Sequence, residues 1–233
     1  METKNLRLSV VIPVFNEEGT IAEVIDRVTK VAIPTEIIVV NDGSSDNTRS
    51  RLEPLRGKVS RIIHLPVNRG KGAAIVQGLQ CVTGDVVVFQ DADLEYDPSD
   101  YTEMYKLIAE GRADLVLGTR MSGAKPQRCY YFWHMIGNKL FTLIANILNN
   151  TTLTDIYTCY KMFDLKIIQG MNFYSEGFEF DAEFLAKVLK IKTLKIYEVP
   201  ISYYGRTYDE GKKIRWIHAF SVIWTLIKYR CRD

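Results

Sequence analysis

From residue 8 to residue 118, short apolar runs alternate with segments whose apolar positions recur every three or four residues. The runs at 8–14, 36–41, 61–65, 85–90 and 114–118 are rich in Val and Ile, with hardly a polar interruption in IIVV or VVVF. Runs of that kind are strands covered on both faces, as in a parallel sheet. Between them, 20–31, 71–82 and 99–110 carry the helical period. Alternation of strand and helix predicts an α/β fold with a mostly parallel central sheet flanked by helices. Neither an internal repeat of roughly 20 to 50 residues nor a low-complexity linker breaks the pattern, so 1–233 reads as a single domain. After about Met121 the rhythm changes to aromatic-rich segments: 131–148 and 214–229 predict amphipathic helices, and 194–203 predicts a late strand with Pro200 near its end.

Composition adds bounds rather than detail. With 233 residues, 47% hydrophobic and 25% charged, the chain has the means to bury a substantial core. Thirty basic residues against 28 acidic ones lend no support to a nucleic-acid footprint spread over the surface, and no nucleic-acid partner is expected. Cys81, Cys129, Cys159 and Cys231 lie far apart, which argues against a disulfide framework or a zinc site and for a reducing cytosol. His64, His134 and His218 have no metal-ligand spacing. The charged N-terminus with its short apolar run ending at Pro13 suits a buried strand better than a signal peptide, and the sequons at Asn149 and Asn150 read as chance matches. Uninterrupted apolar segments fall short of the roughly 18 residues that span a bilayer, so a cytoplasmic protein, soluble or peripheral, is expected.

Candidate chemistry concentrates where strands end. Asp91-Ala92-Asp93 follows the run DVVVFQ. Strand alternation points the two carboxylates the same way, at the edge of a parallel sheet where ligands bind. Two such groups suit a hard divalent ion, Mg²⁺ or Mn²⁺, bridging to a diphosphate; a bare Asp-x-Asp also occurs as a solvated acidic turn. Asp42 follows EIIVVN and opens Asp42-Gly43-Ser44-Ser45-Asp46. It suits hydrogen bonds from a ribose or base, while capping of the next helix accounts equally for its neighbours. Pro13-Val14-Phe15-Asn16-Glu17-Glu18 supplies a flat ring with polar neighbours that suits a base, or simply a strand exit and an acidic helix start. Asn68-Arg69-Gly70-Lys71-Gly72 is glycine-rich and basic and suits a phosphate, although it is neither a Walker loop nor a dinucleotide fingerprint.

Taken in order, PVFNEE, VNDGSSDNT, NRGKGAA, QDADLEYDP and VLGTR resemble family 2 glycosyltransferases of the GT-A fold. The nearest group is the dolichyl- or polyprenyl-phosphate mannosyltransferases, and TDIYTCYKMF, EGFEFDAE and EVPISYYGR extend the resemblance over nearly the whole chain. The resemblance implies a nucleotide-sugar and metal half, 1–120, and an acceptor half, 121–233. It assigns Pro13, Phe15, Glu17 and Asp42 to the nucleoside, with Lys71 also on the donor side. Asp91 and Asp93 would hold the metal, with Glu95 standing where mannosyltransferases commonly have Gln as a further ligand. Asp155 matches an acidic residue of the acceptor site, and Arg120 and Arg206 match basic positions near the phosphates. Asp93, Asp155, Arg120 and Arg206 are thus the expected catalytic group.

A lipid monophosphate acceptor has its second pKa near 6, about as a phosphate ester does, and is already a nucleophile at neutral pH. The demand is for cations, which Arg120, Arg128, Arg206, Lys212 and Lys213 supply. Asp155 is therefore expected to orient first, and to act as a base only toward a hydroxyl acceptor. The implied reaction is inverting transfer, of mannose from GDP-mannose, to a polyprenyl or dolichyl phosphate on the cytoplasmic membrane face. Transfer from a UDP-glucose or UDP-N-acetylhexosamine donor, transfer to a glycan hydroxyl, and nucleotide-sugar binding without turnover are the alternatives. The aromatic and basic helices at 131–148 and 214–229 either pack on the sheet or lie on a membrane surface. Family members often carry C-terminal membrane spans, so a separate membrane-anchoring subunit is among the partners the resemblance allows.

Overall fold

The run LSVVIPV forms β1 (Leu8–Val14), and all seven of its residues are buried. Its neighbours on either side are β2 (Thr35–Asn41), with which it pairs in parallel, and β4 (Val86–Phe89), also parallel. Strand β3 (Arg61–His64) extends the sheet beyond β2. The remaining strands are β5 (Leu115–Thr119), β6 (Lys161–Asp164) and β7 (Ile196–Pro200), and the spatial order is β3-β2-β1-β4-β6-β5-β7. Only β6 runs against its neighbours, β4 and β5. This computed structural model describes residues 4–128, 131–207, 209–210 and 218–231.

Helices α1 (Ile21–Thr29), α2 (Thr48–Leu52), α3 (Lys71–Leu79), α4 (Tyr101–Ala109), α5 (Phe132–Asn149), α6 (Phe180–Val188) and α7 (His218–Cys231) complete the chain. In α1 the buried residues Ile21, Val24, Ile25 and Val28 recur at helical spacing and turn one face to the core. Residues 214–217 of the predicted last helix lie outside the described residues, as do Cys129, Lys212 and Lys213. The late strand is shorter than expected, five residues instead of ten.

Three elements were not expected from the periodicity. The four residues of β6 begin and end on charges, and α2 is only five residues long, so neither is long enough to show a period. Helix α6 is buried at every position, including Asp181, Glu183 and Lys187, and a helix enclosed on all sides has no polar face to read. Its charges are satisfied inside: Lys161 reaches Asp181 at 2.6 Å and Lys187 reaches Glu183 at 2.6 Å. Phe89 of β4 then packs edge-on against Phe163, Phe180 and Phe184, at centroid separations of 5.5, 5.8 and 5.7 Å, and so fastens α6 to the sheet.

At the opposite end of the strands from the candidate site, Glu36 is buried and accepts hydrogen bonds from Ser9 Oγ (2.5 Å), Thr83 N (2.6 Å), Thr83 Oγ1 (2.6 Å) and Gly84 N (3.2 Å). Burial by itself would raise its pKa, but these donors outweigh burial and hold it below the ordinary 4.5. A depressed folded pKa stabilises the protein above the ordinary value, and that contribution is lost as pH falls through the depressed one. Glu36→Gln turns an amide NH₂ toward the same donors, and a loss of about 1–3 kcal/mol is expected at neutral pH. In urea titrations the gap between variant and wild type should narrow in acid; a gap that stays constant would show that the charge is not what matters.

Candidate functional site

Because β1, β2 and β4 run in parallel, their carboxyl ends open on one side of the sheet. Pro13 is buried near the end of β1, followed by Phe15, half-buried, and by Asn16, whose positive φ of 50° turns the chain toward α1. Glu17 follows, buried, with its amide donating to Thr48 Oγ1 at 2.9 Å. Asp42 leaves β2 and is also buried. Both its oxygens accept backbone amides, from Arg69 (2.8 Å) and Gly70 (2.8 Å). The loop lies so close that a Cβ on Gly43, at φ +65°, would stand 2.4 Å from the carbonyl carbon of Val67.

That contact changes the reading of Asn68-Arg69-Gly70-Lys71-Gly72. The Arg69 and Gly70 amides belong to Asp42, and the Ala73 amide donates to the Glu176 carbonyl at 3.0 Å. These amides do not form an open phosphate cradle. Lys71 instead extends its ammonium to 2.6 Å from Asp91 Oδ1.

Beyond β4 the chain is held tightly before it reaches the carboxylates. Tyr101 and Tyr160 both donate to Gln90 Oε1, at 2.5 and 2.8 Å, and Gln90 Nε2 donates to the Asp91 carbonyl at 2.9 Å. Thr20 Oγ1 donates to the Ala92 carbonyl at 2.7 Å. The two aspartates then titrate in opposite directions. Burial would raise Asp91, but the Lys71 ammonium outweighs it and holds the carboxyl below its ordinary value. Asp93 forms no side-chain ion pair among the described residues, and burial, followed by the charges of Asp91 and Glu95, outweighs the Arg206 charge and pushes it up to about 8. Two oxygen-donor groups that repel each other this strongly fit a divalent cation, and Mg²⁺ is commonly held by one or two carboxylates with substrate phosphates and water completing its shell.

Glu95 does not join them as expected. Its oxygens accept from Tyr203 Oη (2.8 Å) and the Arg206 amide (2.6 Å), and among the described residues no three His, Cys, Asp or Glu side chains converge as a metal cage. Glu95 therefore does not gather with Asp91 and Asp93 into the expected set of three, which leaves the two aspartates as the candidate pair. Glu95 ties residues 203–206 across the site. The Arg206 guanidinium then forks onto Glu17 at 3.1 and 3.0 Å, and donates to the Asp93 carbonyl at 2.5 Å.

Among the residues expected on the acceptor side, Asp155 is fully buried and grips Arg120 through two of its guanidinium nitrogens, at 2.7 and 2.9 Å, and through the backbone amide at 3.1 Å. Asn138 Nδ2 adds a bond of 2.8 Å from α5. Burial works to raise Asp155, and Arg120 overcomes it, so the carboxyl stays below its ordinary value and ionised. Arg120 also stacks 4.9 Å above the Tyr203 ring. Arg128 pairs with Glu210 at 3.0 Å. Three of the five expected acceptor cations thus each meet a carboxylate, and Lys212 and Lys213 lie outside the described residues. Sequence reasoning missed Tyr203, Asn138 and the Lys71–Asp91 pair. Asn138 had a signal: it opens the polar or small series Asn138, Thr142, Ala145, Asn149 at helical spacing.

Comparison with known proteins completes the description. The family model for glycosyl transferase family 2 matches residues 9–170. The chain is 30% identical over 203 residues to the low-salt glycan biosynthesis hexosyltransferase Agl6 of Haloferax volcanii, covering 85% of this chain and 48% of that protein. It is 26% identical to the dolichol-phosphate mannosyltransferase of Pyrococcus furiosus (89% and 59% covered) and 26% identical to the dodecaprenyl-phosphate galacturonate synthase of Rhizobium johnstonii (90% and 62%). It therefore spans about half to three-fifths of these curated relatives. Among solved structures, glucosyl-3-phosphoglycerate synthase from Mycobacterium tuberculosis, crystallised with Mn²⁺, UDP and phosphoglyceric acid, superposes with a TM-score of 0.74 at 23% identity, covering 97% of this chain and 78% of that one. The same enzyme has been crystallised with Mg²⁺ and UDP. At that identity the likeness establishes the fold, which is the expected GT-A fold.

Proposed function

The chain belongs to glycosyl transferase family 2, and from that premise we propose that it transfers a hexosyl group from a nucleoside-diphosphate sugar to a polyprenyl or dolichyl phosphate, with inversion. Mannose from GDP-mannose is the donor we assign, and the cytoplasmic face of a membrane is the place. The observation that carries the reading is the meeting of Asp91 and Asp93 with Lys71 and Arg206 at the carboxyl edge of β1 and β4. The names of the mannosyltransferase and the galacturonate synthase support a lipid-phosphate acceptor.

Within the site each residue has a task set by its contacts. Asp91 and Asp93 would hold a divalent ion, Mg²⁺ or Mn²⁺, which when bound would neutralise charge on the departing diphosphate. Lys71 keeps Asp91 ionised for that purpose. Pro13, Phe15 and Glu17 line the nucleoside side, and Asp42 shapes it by pinning the 69–70 loop. Asp155 and Asn138 set the Arg120 guanidinium, and Arg120, Arg206 and Arg128, joined by Lys212 and Lys213, reduce the repulsion between two anionic substrates. Asp155 is ionised but enclosed and occupied, which suits an acceptor that arrives already deprotonated rather than one needing a base.

The test is transfer of labelled sugar into an organic-extractable, mild-acid-labile product, with GDP-mannose, UDP-glucose and UDP-N-acetylglucosamine each offered together with polyprenyl phosphate and Mg²⁺ or Mn²⁺. Product with GDP-mannose is expected. Product from a UDP-sugar alone would replace the donor, and no product from any of them would overturn the lipid-phosphate acceptor.

A further inference from the structure

Helix α5 packs Phe141, Ile144 and Leu148 against the core, yet its most deeply buried positions are mainly polar and a second apolar face is left exposed. Its buried positions are Asn138, Thr142, Ala145 and Asn149, and three of these are polar. Two of them dock the helix through hydrogen bonds, Asn138 to Asp155 and Thr142 Oγ1 from the Ile156 amide, while Asn149 Nδ2 turns back to the Ala145 carbonyl of the same helix. Facing outward are Phe132, Trp133, Ile136, Leu140, Leu143 and Ile147, with Trp133 77% and Ile147 73% exposed. At 3.6 residues per turn these six fall within an arc of about 100°, on the side opposite the buried four. Helix α7 packs beside α5, with Arg230 Nε donating to the Leu148 carbonyl at 2.7 Å, and it too exposes apolar side chains, Phe220, Trp224 and Ile227. An aqueous surface does not account for so continuous a stripe.

We infer that α5 lies in the headgroup layer of a bilayer containing anionic lipid, with its Phe132–Ile147 stripe at the acyl boundary. Charge decides the occupant. Neither α5 nor α7 contains a single Asp or Glu, in a chain that has 28 of them. The one formal charge on α5 is Lys139, exposed at the margin of the stripe beside Ile136 and Leu143. Against an anionic surface Lys139 lays its stem along the apolar face and its ammonium among phosphates. A two-fold contact between copies of this chain would instead press Lys139 against its own patch, where no carboxylate waits. Exposed Trp and Phe fit the interface, where an apolar ring meets a wet boundary.

The same helix carries Asn138 on its inner side, bonded to Asp155, which sets Arg120. A lipid phosphate in the headgroup layer then stands about a helix diameter, roughly 10 Å, from that cluster. This last step rests on the proposed lipid-phosphate acceptor; the docking itself does not.

The test uses co-sedimentation with phosphatidylcholine vesicles, with and without phosphatidylglycerol. Wild type should bind the anionic vesicles, and Leu143→Glu/Ile147→Glu should weaken binding about tenfold for each side chain lost. Lys139→Glu should weaken binding to the anionic vesicles and leave binding to the neutral ones unchanged. Circular dichroism establishes that these surface variants fold. Absence of wild-type binding, or equal binding by wild type and the double variant, overturns the proposal. A wild-type dimer dissolved by Leu143→Glu overturns it as well, and makes the stripe a contact between copies. Transfer to a short-chain, water-soluble prenyl phosphate should be the same in wild type and double variant. Failure of wild type in that assay, with vesicle binding intact, counts against the acceptor reading and leaves the docking supported.

Discussion

Asp93→Ala should lower transfer by about a thousandfold or more and leave the protein folded. Loss of an oriented group that stabilises transition-state charge removes several kcal/mol, and each 1.36 kcal/mol is a factor of about ten in rate. The native fold asks little of this side chain, whose carboxylate accepts one hydrogen bond among the described residues, from the Glu95 amide at 3.1 Å. It even opposes folding. With its pKa pushed to about 8 in the folded protein against an ordinary 3.8, the folded state binds the extra proton over that interval. Stability therefore falls as pH rises from the lower value to the higher one. With chelator present, the variant should lose this slope and match or exceed wild-type stability near neutral pH. Added Mg²⁺ or Mn²⁺ should raise the melting temperature of wild type alone. Turnover at the wild-type rate in the variant would remove Asp93 from the site, and so would an equal thermal response of both proteins to metal.

The parallel half of the fold was readable because each strand there is an uninterrupted Val/Ile run and each helix has a solvent side. The same runs located Asp42 and Asp91, since residues that leave buried parallel strands emerge at a common edge. Reading failed where charged side chains lie on a helix buried on every side. In α6, Asp181, Glu183 and Lys187 are buried with partners drawn in part from elsewhere in the chain, so the segment resembles neither a core nor a surface helix. Glu95 failed for a related reason. Spacing puts it two residues beyond Asp93, but Leu94 takes a positive φ of 63°, which breaks the alternation, and Tyr203 and Arg206 claim its oxygens from over a hundred residues away. The polar buried face of α5 was present in the residues, yet a hydrophobic period records only that two faces differ. Which face is inside follows from Asp155, whose burial requires Asn138 beside it.

The Arg120–Asp155 pair separates what holds the fold from what serves the reaction. Arg120→Met leaves a fully buried carboxylate with Asn138 and one backbone amide as its remaining donors, and a destabilisation of about 3–5 kcal/mol is expected. Asp155 then has to take up a proton to be tolerated, so the penalty should shrink as pH falls. Adding Asp155→Asn removes the stranded charge and keeps an oxygen for Asn138, and most of the lost stability should return in urea titrations. Transfer should not return with it. The guanidinium that Asp155 and Tyr203 orient is absent from both variants, and no neutral side chain offsets the repulsion between a phosphate acceptor and a sugar diphosphate. A stable double variant that transfers at the wild-type rate would make Arg120 a structural cation only, and would move the acceptor's phosphate toward Arg206 and Arg128.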